Sequence, residues 1–196
     1  MDDLPSRYDD AADTYDETRG GEARAAAVAA EVDRLAPGPG LLVDVAGGTG
    51  TVGAALRALG REVLVADASA GMLRHAVRRL PGRVVRADAR RLPLGDGSAS
   101  VVSLVWLLHL LERSDADAVL AEATRVLRPG GVLVTTVDKD LAHGTTRRTG
   151  ADGAERVAAV CAGLGLVASG SGRVHGETRW VQTGAGWRVE AFRRGP

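Results

Sequence analysis

This sequence has one cysteine, no surplus of charge and no long apolar run, and each absence removes a class of protein. Cys161 stands alone, so no intramolecular disulfide can form, which fits a reducing compartment. No Cys/His spacing suggests zinc, and no metal site is expected. Lys plus Arg equals Asp plus Glu at 25 each. Global charge therefore offers no basic surface of the kind that neutralises nucleic-acid phosphates. A local excess from Arg74 through Arg78, Arg79, Arg83 and Arg86 to Arg90 and Arg91 reads as a solvated helix face and loop. No stretch approaches the roughly 20 apolar residues that span a bilayer. The start is acidic (Asp2, Asp3, Asp9, Asp10) and lacks the basic-then-apolar layout of a secretory leader. The expectation is a cytoplasmic protein, monomer or homodimer, that binds neither membrane nor nucleic acid.

What is present is an ordinary globular composition: 196 residues, 45% hydrophobic and 26% charged. That length suits a single domain spanning 1–196 and buries a core without disulfide or metal staples. No internal repeat or interdomain linker interrupts it.

Residues 1–36 read as a helical cover. Tyr8 and Tyr15, seven apart, share one face if their segment is helical, and Glu22 to Leu35 carries Val28, Val32 and Leu35 at helical spacing until Pro37-Gly38-Pro39-Gly40 stops it. From 41 to 137 short apolar runs alternate with helices. The runs are LLVDV (Leu41–Val45), EVLVAD (Glu62–Asp67), RVVRA (Arg83–Ala87), SVVSLVW (Ser100–Trp106) and VLVTTV (Val132–Val137). Ser114 or Asp115 is placed to cap the helix that ends at Leu127, and Pro129-Gly130-Gly131 reads as the turn into the fifth run. Residues 138–196 add a helix (Ala154–Gly163) and two strands, about Leu166–Val174 and Trp187–Phe192, placed as an antiparallel hairpin at the edge. The pattern predicts a Rossmann-like α/β fold, doubly wound: a mostly parallel seven-stranded sheet with an antiparallel edge strand and helices on both faces.

In such a sheet ligands bind beyond the C-terminal strand ends, where strand order reverses. Strand one ends in Asp44 and the loop Gly47-Gly48-Thr49-Gly50, strand two in Asp67, strand three in Asp88, and strand four in Trp106 with His109 after it. Glycines let a ligand approach the backbone. An acid ending strand two can accept bonds from both ribose hydroxyls, and a polar group after strand three can reach the exocyclic amine of adenine. The literal G-x-G-x-x-G of Gly48, Gly50 and Gly53 would by itself suggest a dinucleotide, but a pyrophosphate on a helix N-terminus wants no carboxylate beside it. Asp44 suits a cationic ligand better.

Five runs then carry a resemblance: YDDAADTYDETR (Tyr8–Arg19), LLVDVAGGTGTVGAAL (Leu41–Leu56), VADASAGML (Val65–Leu73), RADARRLPLGDGSASVVSLVWLLHLL (Arg86–Leu111) and EATRVLRPGGVLV (Glu122–Val134). In this order and spacing the chain resembles the class I S-adenosylmethionine-dependent methyltransferases, in the small-molecule branch that includes the enzymes of menaquinone and ubiquinone biosynthesis. The resemblance implies S-adenosylmethionine as cofactor, S-adenosylhomocysteine as product, and transfer of methyl to an oxygen, nitrogen or carbon of a small metabolite by in-line displacement.

Carried over residue by residue, Asp44, Ala46, Gly47, Gly48 and Gly50 would hold the methionine end and sulfur. Asp67 would take the ribose, with Ala68 beside it and Met72 against the adenine. Asp88, Ala89 and Arg90 would meet the adenine edge, and Tyr15 and Arg19 would cover the cofactor and meet its carboxylate. Trp106, His109 and His143 would face the acceptor, His109 as general base or substrate contact. The chain departs from the family in two places. Ala46 replaces the first motif glycine, tolerable if its φ stays below zero. Ala99-Ser100 replaces a common Phe-Asp, read as structural drift. Other readings keep an RNA or protein methyltransferase, a nicotinamide-dependent oxidoreductase and a non-methylating relative in view.

Overall fold

Short Val- and Leu-rich runs, broken by glycine and proline, become the strands of one sheet in the computed structural model, which describes residues 4–139, 150–175 and 186–196. The strands are β1 (Leu41–Val45), β2 (Glu62–Asp67), β3 (Val84–Arg86), β4 (Ala99–Leu104), β5 (Leu127–Val137), β6 (Leu166–His175) and β7 (Gly186–Arg194), in the order β3-β2-β1-β4-β5-β7-β6. β1 to β5 pair in parallel, while β7 runs antiparallel to both β5 and β6. The seven-stranded Rossmann-like sheet expected from the sequence is present, and so is its antiparallel hairpin. Within that hairpin the last strand lies inside, between β5 and β6, and β6 forms the edge.

Helices cover both faces: α3 (Gly21–Leu35), α4 (Thr51–Ala58) and α5 (Ala70–Arg79) on one, α6 (Arg113–Val126) and α7 (Ala154–Gly163) on the other. Strand alternation sorts the contacts. Leu42 belongs to the core layer that holds Val28, Leu56 and Ala76 on the first face, whereas Val43 and Val45 belong to the one that holds Val119 and Val157 on the second. All six residues of β4 are buried, as a strand covered on both faces requires.

Three local readings change. The helix α6 starts at Arg113, with Glu112 in the cap position and no side-chain cap; Asp115 instead accepts a bond from Arg90 Nη1 at 2.8 Å. Pro129-Gly130-Gly131 lies inside β5 rather than before it, because the pairing steps from Ala99↔Leu127 to Val101↔Val132 and the extra residues bulge out. The N-terminal segment is broken into α1 (Leu4–Ala11), a 3-10 turn at Ala12–Thr14 and α2 (Tyr15–Thr18).

That break lays the segment along α5. Asp9 Oδ1 accepts from Ser69 Oγ (2.5 Å) and from Gly71 N (2.7 Å), Asp13 Oδ1 lies 3.0 Å from His75 Nε2, and Asp16 Oδ2 accepts from Arg79 Nη2 (2.7 Å). A Cβ on Gly71 would stand 2.7 Å from Asp9 Cα and 2.9 Å from its carbonyl oxygen, so only glycine lets the two helices come this close. Tyr8 and Tyr15 meet edge-on, ring centroids 5.9 Å apart.

Candidate functional site

Strand order reverses between β1 and β4: from β1 the chain builds outward through β2 and β3, then crosses to β4 on the other side. The C-terminal ends of these strands diverge there, as an open sheet dictates. A cavity of about 480 Å³ lies over them, roofed by Leu4, Pro5, Tyr8 and Tyr15, within the range of ordinary small-molecule sites.

Asp44 is the group at its base. It is 2% exposed, its Oδ1 accepts from Ser103 Oγ at 2.7 Å, and its Oδ2 has no partner among the described residues. Burial, with Asp67 nearby adding to it and the Ser103 bond opposing, pushes its carboxyl up to about 6. A Cβ on Gly47 would sit 2.7 Å from Asp44 Oδ2, which is why glycine follows at that distance along the loop. A buried carboxylate oxygen with an unused lone pair is a costly thing unless something cationic meets it.

The loop between β1 and α4 overturns one expectation. Ala46 has φ 56°, in the left-handed region rather than below zero. The cause is a pair of bonds: Ala46 N and Gly47 N both donate to Ala66 O, at 2.7 and 3.3 Å, folding the loop over the end of β2. A Cβ-bearing residue held there carries about 1–2 kcal/mol of strain.

Asp67 closes the same loop. Its Oδ2 accepts from Gly48 N and its Oδ1 from Ser69 N, both at 2.8 Å. Burial raises its carboxyl above the ordinary value while the Ser69 and Gly48 amides pull it back. A carboxylate has about four acceptor sites, so these bonds leave Asp67, which lines the cavity, capacity to accept more. Asp88 differs. It is half-exposed and held by the Arg90 fork (Nη2 to Oδ2, 2.7 Å), which keeps its carboxyl below the usual range, and Arg90 reaches on to Asp115. Burial pushes the Tyr8 phenol up to about 12 and raises that of Tyr15, so both roof the cavity as neutral rings.

On the far side, Trp106 leaves β4 with φ 58°, its backbone N–H donating to Thr136 Oγ1 at 2.8 Å. Its ring is packed against Arg24, and its Nε1 is buried without a partner among the described residues. His109, in a 3-10 turn at Leu108–Leu110, lies with Nε2 3.0 Å from Lys139 Nζ at the end of β5.

The wall therefore brings together Tyr15, Asp44, Ala46, Gly47 and Gly48, then Asp67, Ala68 and Met72, then Asp88, Ala89, Arg90 and Trp106. Three expected residues lie off it. Arg19 sits with its guanidinium carbon 5.8 Å from the Tyr15 ring centroid. Gly50, at φ 77°, serves the start of α4, where a Cβ would press on Ala76. His109 is not part of the lining, whereas its neighbours Leu107 and Leu110 are. His143 lies outside the described residues. Sequence reasoning missed Ser103, which only strand pairing sets opposite Asp44, and Tyr8, Asp9 and Asp16, whose acidic and aromatic spacing was visible but had no partner to be read against.

Comparison with known proteins agrees. Residues 42–131 match a family described as a methyltransferase domain. Demethylmenaquinone methyltransferase of Parafrankia sp. (strain EAN1pec) is 37% identical over 163 residues, 67% of this chain and 61% of the relative. The enzyme of the same name from Beutenbergia cavernae is 43% identical over 107 residues, 54% and 44% of the two chains. This chain thus spans about three-fifths or less of these relatives' length. Among solved structures, the [4+2]-cyclase SpnF superposes with TM-score 0.74 at 20% identity, covering 98% of this chain and 95% of its own. The N-methyltransferase NodS of Bradyrhizobium japonicum with S-adenosyl-l-homocysteine gives 0.70 at 17% identity, covering 86% of each. At such identities these likenesses establish fold alone. The domain match and the sequence relatives point the same way: over residues 42–131 the chain is similar to methyltransferases, on a fold it shares with a solved enzyme that holds S-adenosyl-l-homocysteine.

Proposed function

We propose that this protein transfers the methyl group of S-adenosylmethionine to a small-molecule acceptor. The observation that carries the reading is Asp44, a buried carboxylate with one oxygen unpartnered among the described residues, at the strand-order reversal and on the wall of a cavity that continues to Asp67 and Asp88. Such an oxygen fits an ammonium and rejects a pyrophosphate, which disfavours a dinucleotide.

When bound, the cofactor supplies a methyl already activated by a sulfonium, and the residues of this chain supply place and alignment. Intramolecular precedents put alignment at roughly 7–11 kcal/mol of barrier. In this reading Asp44 pairs with the ammonium and the Gly47–Gly48 backbone approaches the methionine end. Asp67 accepts the ribose hydroxyls, each such bond to a charged acceptor being worth about 1.5–3 kcal/mol. Met72, Ala89 and Asp88 take the adenine, and Tyr8 and Tyr15 exclude water from above. Trp106 faces the acceptor side. A lysine ammonium donating to His109 Nε2 uses that nitrogen's lone pair, so His109 acts there as a positioning or contact group rather than as a free base.

The test is thermal unfolding with S-adenosylhomocysteine, against NAD and NADP in parallel. A ligand at ~100 times its Kd stabilises by about 2.7 kcal/mol, roughly 5–11 °C for a chain of this size. A shift with S-adenosylhomocysteine alone supports the reading and justifies an acceptor screen by transfer of labelled methyl. A shift with NAD or NADP alone overturns it.

A further inference from the structure

Two arginines are buried among the described residues, and they are treated differently. Arg61 Nη1 pairs with Asp33 Oδ1 at 2.7 Å and also donates to Ala36 O. Arg24, 6% exposed at the start of α3, has no carboxylate partner among the described residues. Its Nη1 donates to Arg19 O at 2.7 Å, and its Nε has no partner among the described residues. No Asp or Glu among the described residues acts on it, and burial, with the Arg19 cation adding to it, pulls its ionisation down to about 10. What it has instead is aromatic: its guanidinium carbon lies 3.3 Å from the Trp106 ring centroid and 4.6 Å from that of Trp187, with the two rings edge-on at 5.7 Å.

The position is as telling as the missing partner. Trp106 lines the cavity and also packs its ring on Arg24, which does not itself line it. It holds a left-handed backbone, φ 58°, and strain of that kind persists where the surroundings over-determine it, often at ligand sites. Its own Nε1 is a second buried donor without an acceptor among the described residues. A second cation, Lys139, comes from the end of β5, Nζ 5.7 Å from the same ring. Asp138 next to it is engaged by Arg188 (3.6 Å) and by the Ala154 amide (3.0 Å). Around one indole, then, donors and positive charge converge from α3, β4 and β5. Leu107 and Leu110 supply an apolar wall alongside.

Resting on the methyltransferase reading of this cavity, we propose that its Trp106 side takes an acceptor with a planar ring bearing a carboxylate. Arg24 supplies the counter-charge and Lys139 adds to it. The Trp106 ring turns aside to admit the anionic group and packs on the acceptor's ring, so its fluorescence reports the event. Recognition of this kind selects strongly, because a buried cation left unpaired by a neutral analogue penalises that analogue.

The experiment titrates the full chain with benzoate and phenylacetate, and with the isosteric benzamide and phenylacetamide, following tryptophan emission with and without saturating S-adenosylhomocysteine. Carboxylates are expected to bind at least tenfold tighter than their amides. Arg24→Gln should abolish that preference while shifting the Kd of S-adenosylhomocysteine less than twofold, and Arg24→Lys should keep part of it. Lys139→Met, made in case Arg24→Gln does not fold, should reduce the preference by a smaller factor. Equal binding of acids and amides to the unaltered protein overturns the proposal, as does a preference that survives Arg24→Gln. If Arg24→Gln instead weakens S-adenosylhomocysteine, the guanidinium belongs to the cofactor and the proposal fails. Absence of any S-adenosylhomocysteine binding would sink the methyltransferase reading separately, leaving the titration without it to decide the anion site.

Discussion

Ser103 Oγ donates to Asp44 Oδ1 at 2.7 Å, between paired residues of β4 and β1, at the point where strand order reverses. One bond orients the carboxylate and leaves Oδ2 without a partner among the described residues. Because Ser103 is fully buried, no water competes for that bond.

Asp44 should make cofactor binding pH-dependent. Its folded-state value of about 6 stands above the ordinary 3.8, and only the carboxylate attracts an ammonium. The Kd for S-adenosylhomocysteine should rise toward tenfold per unit as pH falls below about 6, with proton release visible as a buffer-dependent heat of binding. A flat profile from pH 5 to 8 would refute the assignment.

The same group acts on stability with a definite sign. A raised folded-state value means the folded protein keeps a proton that the unfolded chain gives up. Its stabilising contribution is complete below about pH 3.8 and is lost as pH rises through about 6, a change on the order of 3 kcal/mol. In denaturant titrations Asp44→Asn should gain on the parent across that window and exceed it above pH 6, while losing cofactor affinity.

Ala46→Gly should stabilise. Relief of about 1–2 kcal/mol of left-handed strain outweighs the ~0.4–1 kcal/mol of added unfolded-state entropy, leaving roughly 0.5–1 kcal/mol in equilibrium unfolding. Loss of stability would mean that φ 56° is held at no cost.

Gly71→Ala tests the N-terminal cover. In an ordinary helix interior the change would gain about 0.5–1 kcal/mol. Here the new Cβ meets Asp9 backbone at 2.7–2.9 Å, so α1 must lift. Limited proteolysis should cut ahead of Gly20 sooner than in the parent, and affinity for S-adenosylhomocysteine should fall several-fold.

Asp67→Asn should raise the cofactor's KM at least thirtyfold, about 2 kcal/mol, with a much smaller effect on kcat. Part of the loss is local: one amide oxygen cannot serve both Gly48 N and Ser69 N. A ribose-free fragment such as methionine should feel the change far less; an equal loss would assign Asp67 to the loop alone.

The strands and helices were legible because each is written locally. LLVDV and EVLVAD are apolar runs of strand length, and α3 carries its stripe at Val28, Val32 and Leu35. Asp44, Asp67 and Asp88 were readable as strand-end acids for the same reason. Ser103 was not, since its role exists only once β4 lies beside β1. Ala46 was misread because the backbone's sign of φ is imposed by Ala66, twenty residues on. The cap at Ser114 or Asp115 failed because Asp115 found Arg90 across the fold.

By itself, then, the sequence determined what alternates, where it turns and which charged groups end the strands, all consequences of side-chain period and glycine placement within a few residues. The tertiary structure decided which groups go without partners. Asp44 Oδ2 is unmatched and Arg24 lacks a carboxylate among the described residues. Satisfaction of a buried polar group depends on distant segments meeting in a low-dielectric interior, and no local pattern records that.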